Sequence, residues 1–398
     1  MDRLANTVRP YAWGSTTAIP ELLGTEPTGE PQAELWMGAH PGAPSLLDRG
    51  AGPVPLSEVI DADPAGELGE RVVERFGARL PFLLKLLAAA SPLSLQVHPD
   101  RAQAAAGFAD EENRGVPVDA PHRNYKDTNH KPELICALTP FEGLCGFRPA
   151  AETAELFDGL GVDSLKPYGD ILRAEPESGA LREVLTAVLT ADRREMAETA
   201  RQAGRAAERL AESPGPHRET YAAHASIARH HPGDPGVIAA MLLNHVRLQP
   251  GEALYLGAGV PHAYLQGLGV ELMANSDNVL RCGLTPKHID VPELLRITRF
   301  EATAPGILRP EAVNGEETYE TPAGEFRLSR FARAEGEAPR HLPSGRPQIL
   351  LCTAGSVLLT GDDGRGLALR PGDSAYAAAG ETAELSGAGT VFRATVAA

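Results

Sequence analysis

Four short segments hold the side chains most able to do chemistry. In Pro92-Leu-Ser-Leu-Gln-Val-His-Pro99, an extended strand puts Ser94, Gln96 and His98 on one face and Leu93, Leu95 and Val97 on the other. An amide oxygen and an imidazole two residues apart can grip one cation. Taken alone, the segment is better read as an exposed polar edge strand. Asn129-His-Lys-Pro-Glu133-Leu packs an imidazole, an ammonium and a carboxylate into five residues, and Pro132 forces an extended path. A surface loop is the plain account of such charges, but the apolar LICAL that follows would anchor them at a strand start. Gly259-Val-Pro-His262-Ala-Tyr-Leu-Gln-Gly267 again sets His262 and Tyr264 on one face, where a hydrogen-bonded core histidine is the default. Together Gln96, His98, Glu133 and His262 offer two nitrogens and two oxygens. That set suits Zn²⁺, with Mn²⁺, Fe²⁺ and Co²⁺ also compatible by ligand type. In the fourth segment, Glu271 to Lys287, Arg281 stands among apolar residues. It reads either as a structural partner of Asp277 or as a cation for a phosphate or a developing oxyanion.

Strands must carry the first three segments, and the surrounding chain has their texture. Residues 1 to about 149 are punctuated by Gly and Pro, with short apolar runs such as LPFLLKLL, a pattern of strands and loops more than of helices. The texture changes near residue 150. Leu181, Val184, Leu185, Val188 and Leu189 mark one helical face, and REMAETARQAGRAAERLAES is rich in strong helix formers. ETYAAHASIARHH and VIAAMLLNH are two further helix candidates. Strand texture returns near His245 and again from about 311 to 398. No repeat of solenoid length is visible.

The composition narrows the partners. A net charge of −16 over 398 residues argues against nucleic acid, whose backbone demands clustered Lys and Arg. No stretch approaches the ~20 apolar residues of a membrane span, and the most apolar run is broken by Pro81, Lys85 and Pro92. The opening residues lack the apolar region of a secretory signal, so a cytoplasmic location is expected. Cys136, Cys145, Cys282 and Cys352 form no C-x-x-C pair and read as buried small hydrophobes.

Taken together, the strings YAWGS at 11–15, ELWMGAHP at 34–41, PLSLQVHP, NHKPEL, GVPHAYLQG and NSDNVLRCGLTPK resemble type I mannose-6-phosphate isomerases, in family order. The resemblance implies a mainly β chain with a helical domain: cupin jelly-roll barrels plus an α-helical insertion. It implies a catalytic cupin over 1–149 and 233–310, a helical domain over 150–232, and a metal-free cupin-like β domain over 311–398 to which no chemistry is assigned. It also implies interconversion of mannose 6-phosphate and fructose 6-phosphate through a cis-enediol, with one Zn²⁺ per chain. The matching metal ligands are Gln96, His98, Glu133 and His262, the same set reached above from the residues. Arg281 matches the active-site arginine, and His130 and Lys131 match residues of ring opening and proton transfer. Trp13, Lys85, Ser94, Tyr264, Glu271, Asp277 and Lys287 fall at cavity-lining positions. Lys131 is the expected base, with Glu271 competing for that role. The expected partner is a small sugar phosphate, and the expected assembly a monomer. Two other readings stay open: a phosphosugar sensor without catalysis, and a metal cupin of other chemistry. An oxygenase, however, wants more open coordination than four protein ligands leave. A fused nucleotidyltransferase would need a Gly-rich phosphate loop, which is absent from the sequence.

Overall fold

Every residue of the strand Phe82–Ala89 is buried, including Lys85. Such a strand lacks the alternation of a half-exposed one because both of its faces are covered. Leu84, Leu86 and Ala88 face a layer shared with Phe326, Leu328, Ile349, Leu351 and Phe392 of the C-terminal sheet. Leu87 and Ala89 face the other way, towards Ile135, Ala137, Phe141 and Tyr264 inside a first barrel.

The computed structural model describes residues 1–174 and 176–397. Its strands form two large antiparallel sheets, one of eleven strands and one of nine, plus a two-stranded ribbon. The protein is thus mainly β with a helical block, two cupin-type barrels laid face to face. The thirteen-residue strand His262–Ala274 closes the first barrel. Its later half pairs with Phe82–Ala89 and with Glu133–Ala137, and its earlier half with Phe141–Phe147. Its first residue, His262, lies opposite Gln96, and Gln96 lies opposite Arg281 on the strand Leu280–Gly283.

The helical block packs beside this barrel. Leu181, Val184, Leu185 and Val188 are the buried stripe of the helix Glu177–Thr190. Arg193–Ala211 begins at an Asp192 cap and packs its small-residue face against Arg218–His230. The third candidate divides: Gly236–Met241 is helical, and Leu243–Leu248 is a strand paired with Phe141–Phe147. In the first 149 residues the texture of strands and loops conceals a thirteen-residue helix, Arg101–Asn113. Only Ala104 and Glu111 are buried on it, so it shows no apolar stripe. What specifies it is a capping box, in which Asp100 and Gln103 each bond the other's backbone N–H. The chain also crosses the expected domain boundaries at its start, where Asp2–Leu4 pairs with Ser374–Ala377 in the C-terminal sheet.

Candidate metal centre

His98 and His262 each use one ring nitrogen on the backbone. His98 Nδ1 lies 2.8 Å from the carbonyl of Asn278, and His262 Nδ1 lies 3.0 Å from that of Val260. A carbonyl only accepts, so each ring carries its proton on Nδ1 and turns a bare Nε2 lone pair inward. Those two nitrogens meet the two oxygens of Glu133, at 3.4 Å from His98 and 3.3 Å from His262. The three ligand atoms lie within 4.8 Å of one another, and all three residues are buried. Burial pushes the His98 imidazolium down to about 4, so that ring is neutral at physiological pH. Its Nε2 has no hydrogen-bond partner among the described residues. Lone pairs facing a carboxylate in a dry pocket repel unless a cation sits among them. The donor set fits a divalent metal of the zinc type, and the carbonyls that fix the tautomers are the usual outer support of such a site.

Gln96 flanks this group by its register opposite His262, and its amide nitrogen lies 3.4 Å from Ser94 Oγ on the same face. Lys131 Nζ is 3.0 Å from Glu133 Oε1. Deeper in the barrel, Lys85 Nζ bonds Glu271 at 2.9 Å and stands 3.7 Å from Glu34. Burial drives the Lys85 ammonium towards neutrality, but the two carboxylates outweigh it and hold its pKa above the ordinary value. Burial pushes Glu271 up despite Lys85. Tyr264 is buried on the strand that carries Glu271, and Trp13 packs at the edge of the same core against Tyr11. Asp277 reaches His40 at 3.4 Å, so it is not the partner of Arg281. Arg281 makes no ion pair among the described residues although it is half-buried, and burial lowers its pKa. The neighbouring charge of Arg281 adds to burial in lowering Lys287, and it does the same at Lys126. These cations want an anion.

His130 is the one expected catalytic residue that the structure does not bring to this group. Its Nε2 lies 2.7 Å from Glu325, which also binds Arg101. Adjacent residues in extended chain point to opposite faces, so Lys131 turns to Glu133 and His130 towards the C-terminal domain. Sequence reasoning missed Glu34, Trp36 and His40, although all three stand in the string ELWMGAHP. Trp36 donates its indole N–H to Glu34 at 2.6 Å and lies opposite Lys85. Lys126 was also missed, and a cation four residues before His130 was its only signal.

Known proteins share this sequence and fold. The model of the phosphomannose isomerase type I catalytic domain matches residues 1–150. Mannose-6-phosphate isomerase of Escherichia coli K12 is 42% identical over 386 residues, 96% of this chain and 96% of its own. The chain belongs to the type I phosphomannose isomerase family. Among solved structures, a substituted form of phosphomannose isomerase from Salmonella typhimurium superposes with a TM-score of 0.91 at 39% identity, covering all of both chains. A zinc-bound mannose 6-phosphate isomerase superposes with a TM-score of 0.90 at 38% identity, covering 100% of this chain and 99% of that one. In this family setting the two bare imidazole nitrogens and the carboxylate between them have a ready explanation.

Proposed function

We propose that the protein interconverts mannose 6-phosphate and fructose 6-phosphate, with one zinc ion held by Gln96, His98, Glu133 and His262. The observation that carries this reading is the inward convergence of two bare Nε2 atoms on Glu133. The unpaired Arg281 beside Gln96 adds to it. A bound divalent ion supplies Lewis acidity that stabilises negative charge on sugar oxygens.

The chain's own residues do the rest. A proton must leave C2 of the open-chain aldose and arrive at C1 through a cis-enediol. Lys131 is the base, poised at Glu133 on the rim of the donor set. Glu271, the competing base, is held by Lys85 and has less freedom to turn to substrate. Arg281 faces the charge that develops on oxygen, and with Lys287 and Lys126 makes a cationic border for the phosphate. Ser94, Trp13, Tyr264 and Asp277 shape the remaining wall. To assist ring opening, His130 must exchange Glu325 for the sugar. We take the enzyme to act as a monomer in the cytoplasm on a free sugar phosphate.

The test is isomerisation of mannose 6-phosphate by purified protein as isolated, after chelation, and after zinc is restored. Turnover is expected to vanish and return, and Lys131→Ala to abolish it with zinc still bound. Sugar phosphate binding without turnover in the zinc-loaded protein would favour the sensor. Near-normal turnover in Lys131→Ala would remove Lys131 as base.

A further inference from the structure

The C-terminal barrel has a mouth of its own. Along the strand Ala383–Thr395, Phe392 and Ala394 face the layer between the barrels, while Val391 faces the interior of the second one. Arg393 shares the face of Val391 and stands 5.4 Å from the ring of Phe331, another interior residue. Register then puts Gln348 and Arg327 beside Thr395, at the same end of that interior face. The helix Glu70–Phe76 lies across the opening. Together they border a cavity of about 630 Å³ lined by Arg71, Arg75, Arg327, Arg346, Arg393 and Gln348, with no carboxylate among its described lining residues. In a chain with 53 acidic and 37 basic residues, five arginines lining one cavity are not what chance surface composition supplies.

The bonds inside this cavity are incomplete. Arg393 is 7% exposed, and Glu316 takes its Nη2, yet its Nε is buried without a hydrogen-bond partner among the described residues. Gln348 is 2% exposed, and its amide nitrogen donates to the carbonyl of Pro343 at 2.6 Å. That bond identifies Oε1 as the free end, and it too is buried and unpartnered. Neither Arg71 nor Arg327 makes an ion pair among the described residues. A buried donor and a buried acceptor left open in one cavity are costly unless a ligand or water completes them.

We propose that the mouth of the C-terminal barrel is a second, non-catalytic site for a small phosphate monoester that carries hydroxyl groups. The guanidinium groups match the phosphate oxygens, and a sugar hydroxyl donates to Gln348 Oε1. Hydrogen phosphate satisfies the arginines too, but it offers the amide a single O–H on the group the arginines already hold, whereas a sugar phosphate brings several hydroxyls beyond it.

The test is calorimetric titration of the zinc-loaded protein with fructose 6-phosphate, equilibrated with its aldose isomer. Wild type is expected to show two classes of site per chain. Arg327→Ala and Arg71→Ala should each weaken one class about tenfold or more, the effect of losing a charge-assisted bond. Both should leave the other class and kcat unchanged. Gln348→Met should weaken sugar phosphate at that class by a larger factor than it weakens inorganic phosphate. If Arg327→Ala lowers the melting temperature, Arg71→Ala decides, because Arg71 is exposed on its helix. A single class of site, unmoved by either arginine substitution, overturns the proposal. If the catalytic reading failed instead, the class that the arginine substitutions weaken would remain.

Discussion

Lys85→Met tests whether the ammonium at the heart of the first barrel holds two carboxylates in place. Lys85 is 6% exposed, bonded to Glu271 at 2.9 Å and 3.7 Å from Glu34. Methionine keeps most of the side-chain volume and its packing near Trp36, so the cavity contribution is small. What remains is two buried carboxylates without their cation, and breaking a buried pair in this way costs about 3–5 kcal/mol. Unfolding entropy near 2.1 cal/mol/K per residue gives roughly 0.8 kcal/mol/K for a chain of 398 residues. A loss of about 4 kcal/mol therefore lowers the melting temperature by about 5 °C if the chain melts as one unit, and by more if the barrel melts alone. The sign with pH follows from Glu271. Without Lys85 its folded-state pKa rises further above the unfolded value of about 4.3. Above that value the native state then holds more protons than the unfolded one, so stability falls as pH rises. The deficit should be small near pH 5 and full near pH 8, read by urea denaturation of the zinc-saturated protein. A deficit under about 1 kcal/mol at pH 8, or one equal at both pH values, would refute the reasoning, because a buried pair broken at one end costs ~3–5 kcal/mol.

Three further outcomes are expected. Glu325 is buried, which alone would raise its pKa, but His130 and Arg101 hold it down to about 2. Its contribution is present above about 4.5 and lost as pH falls towards 2, so Glu325→Gln should cost about 1–2 kcal/mol at pH 7 after allowance for solvent screening at Arg101. The gap between the two urea midpoints should narrow by pH 3.5; a constant gap would contradict this. His98→Ala should lower zinc affinity more than about a hundredfold, since loss of an outer supporting partner alone costs up to that much. Metal analysis after dialysis against a competing chelator checks it, and stoichiometric zinc would exclude His98 as a ligand. Gly204 lies where a Cβ would come within 2.6 Å of the Ala228 Cβ on the facing helix. Gly204→Val should therefore destabilise the protein by about 1–3 kcal/mol in a denaturant titration.

The local pattern of the chain determined the helical stripe from Leu181 to Val188 and the shared faces of Ser94, Gln96 and His98. Periodicity is set by backbone geometry within one segment, so it survives without knowledge of the partner. The donor residues were legible for a related reason: imidazole, amide and carboxylate are recognisable by type wherever they stand. Tertiary structure alone decided the rest. The run around Lys85 showed no alternation, because one face fills the first barrel and the other meets the second sheet. His130 and Lys131 are neighbours in the chain, yet Glu325, distant in sequence, claims one and Glu133 the other. VIAAMLLNH carries a single apolar texture, and only pairing with Phe141–Phe147 turns its end into a strand. The arginines at the mouth of the second barrel, at 71 and 75 on one helix and at 327, 346 and 393 far along the chain, form no motif in the sequence. They become one cavity only when distant strands close into a barrel and the helix Glu70–Phe76 is laid across its mouth, because strand pairing is set by long-range burial and register rather than by any local signal.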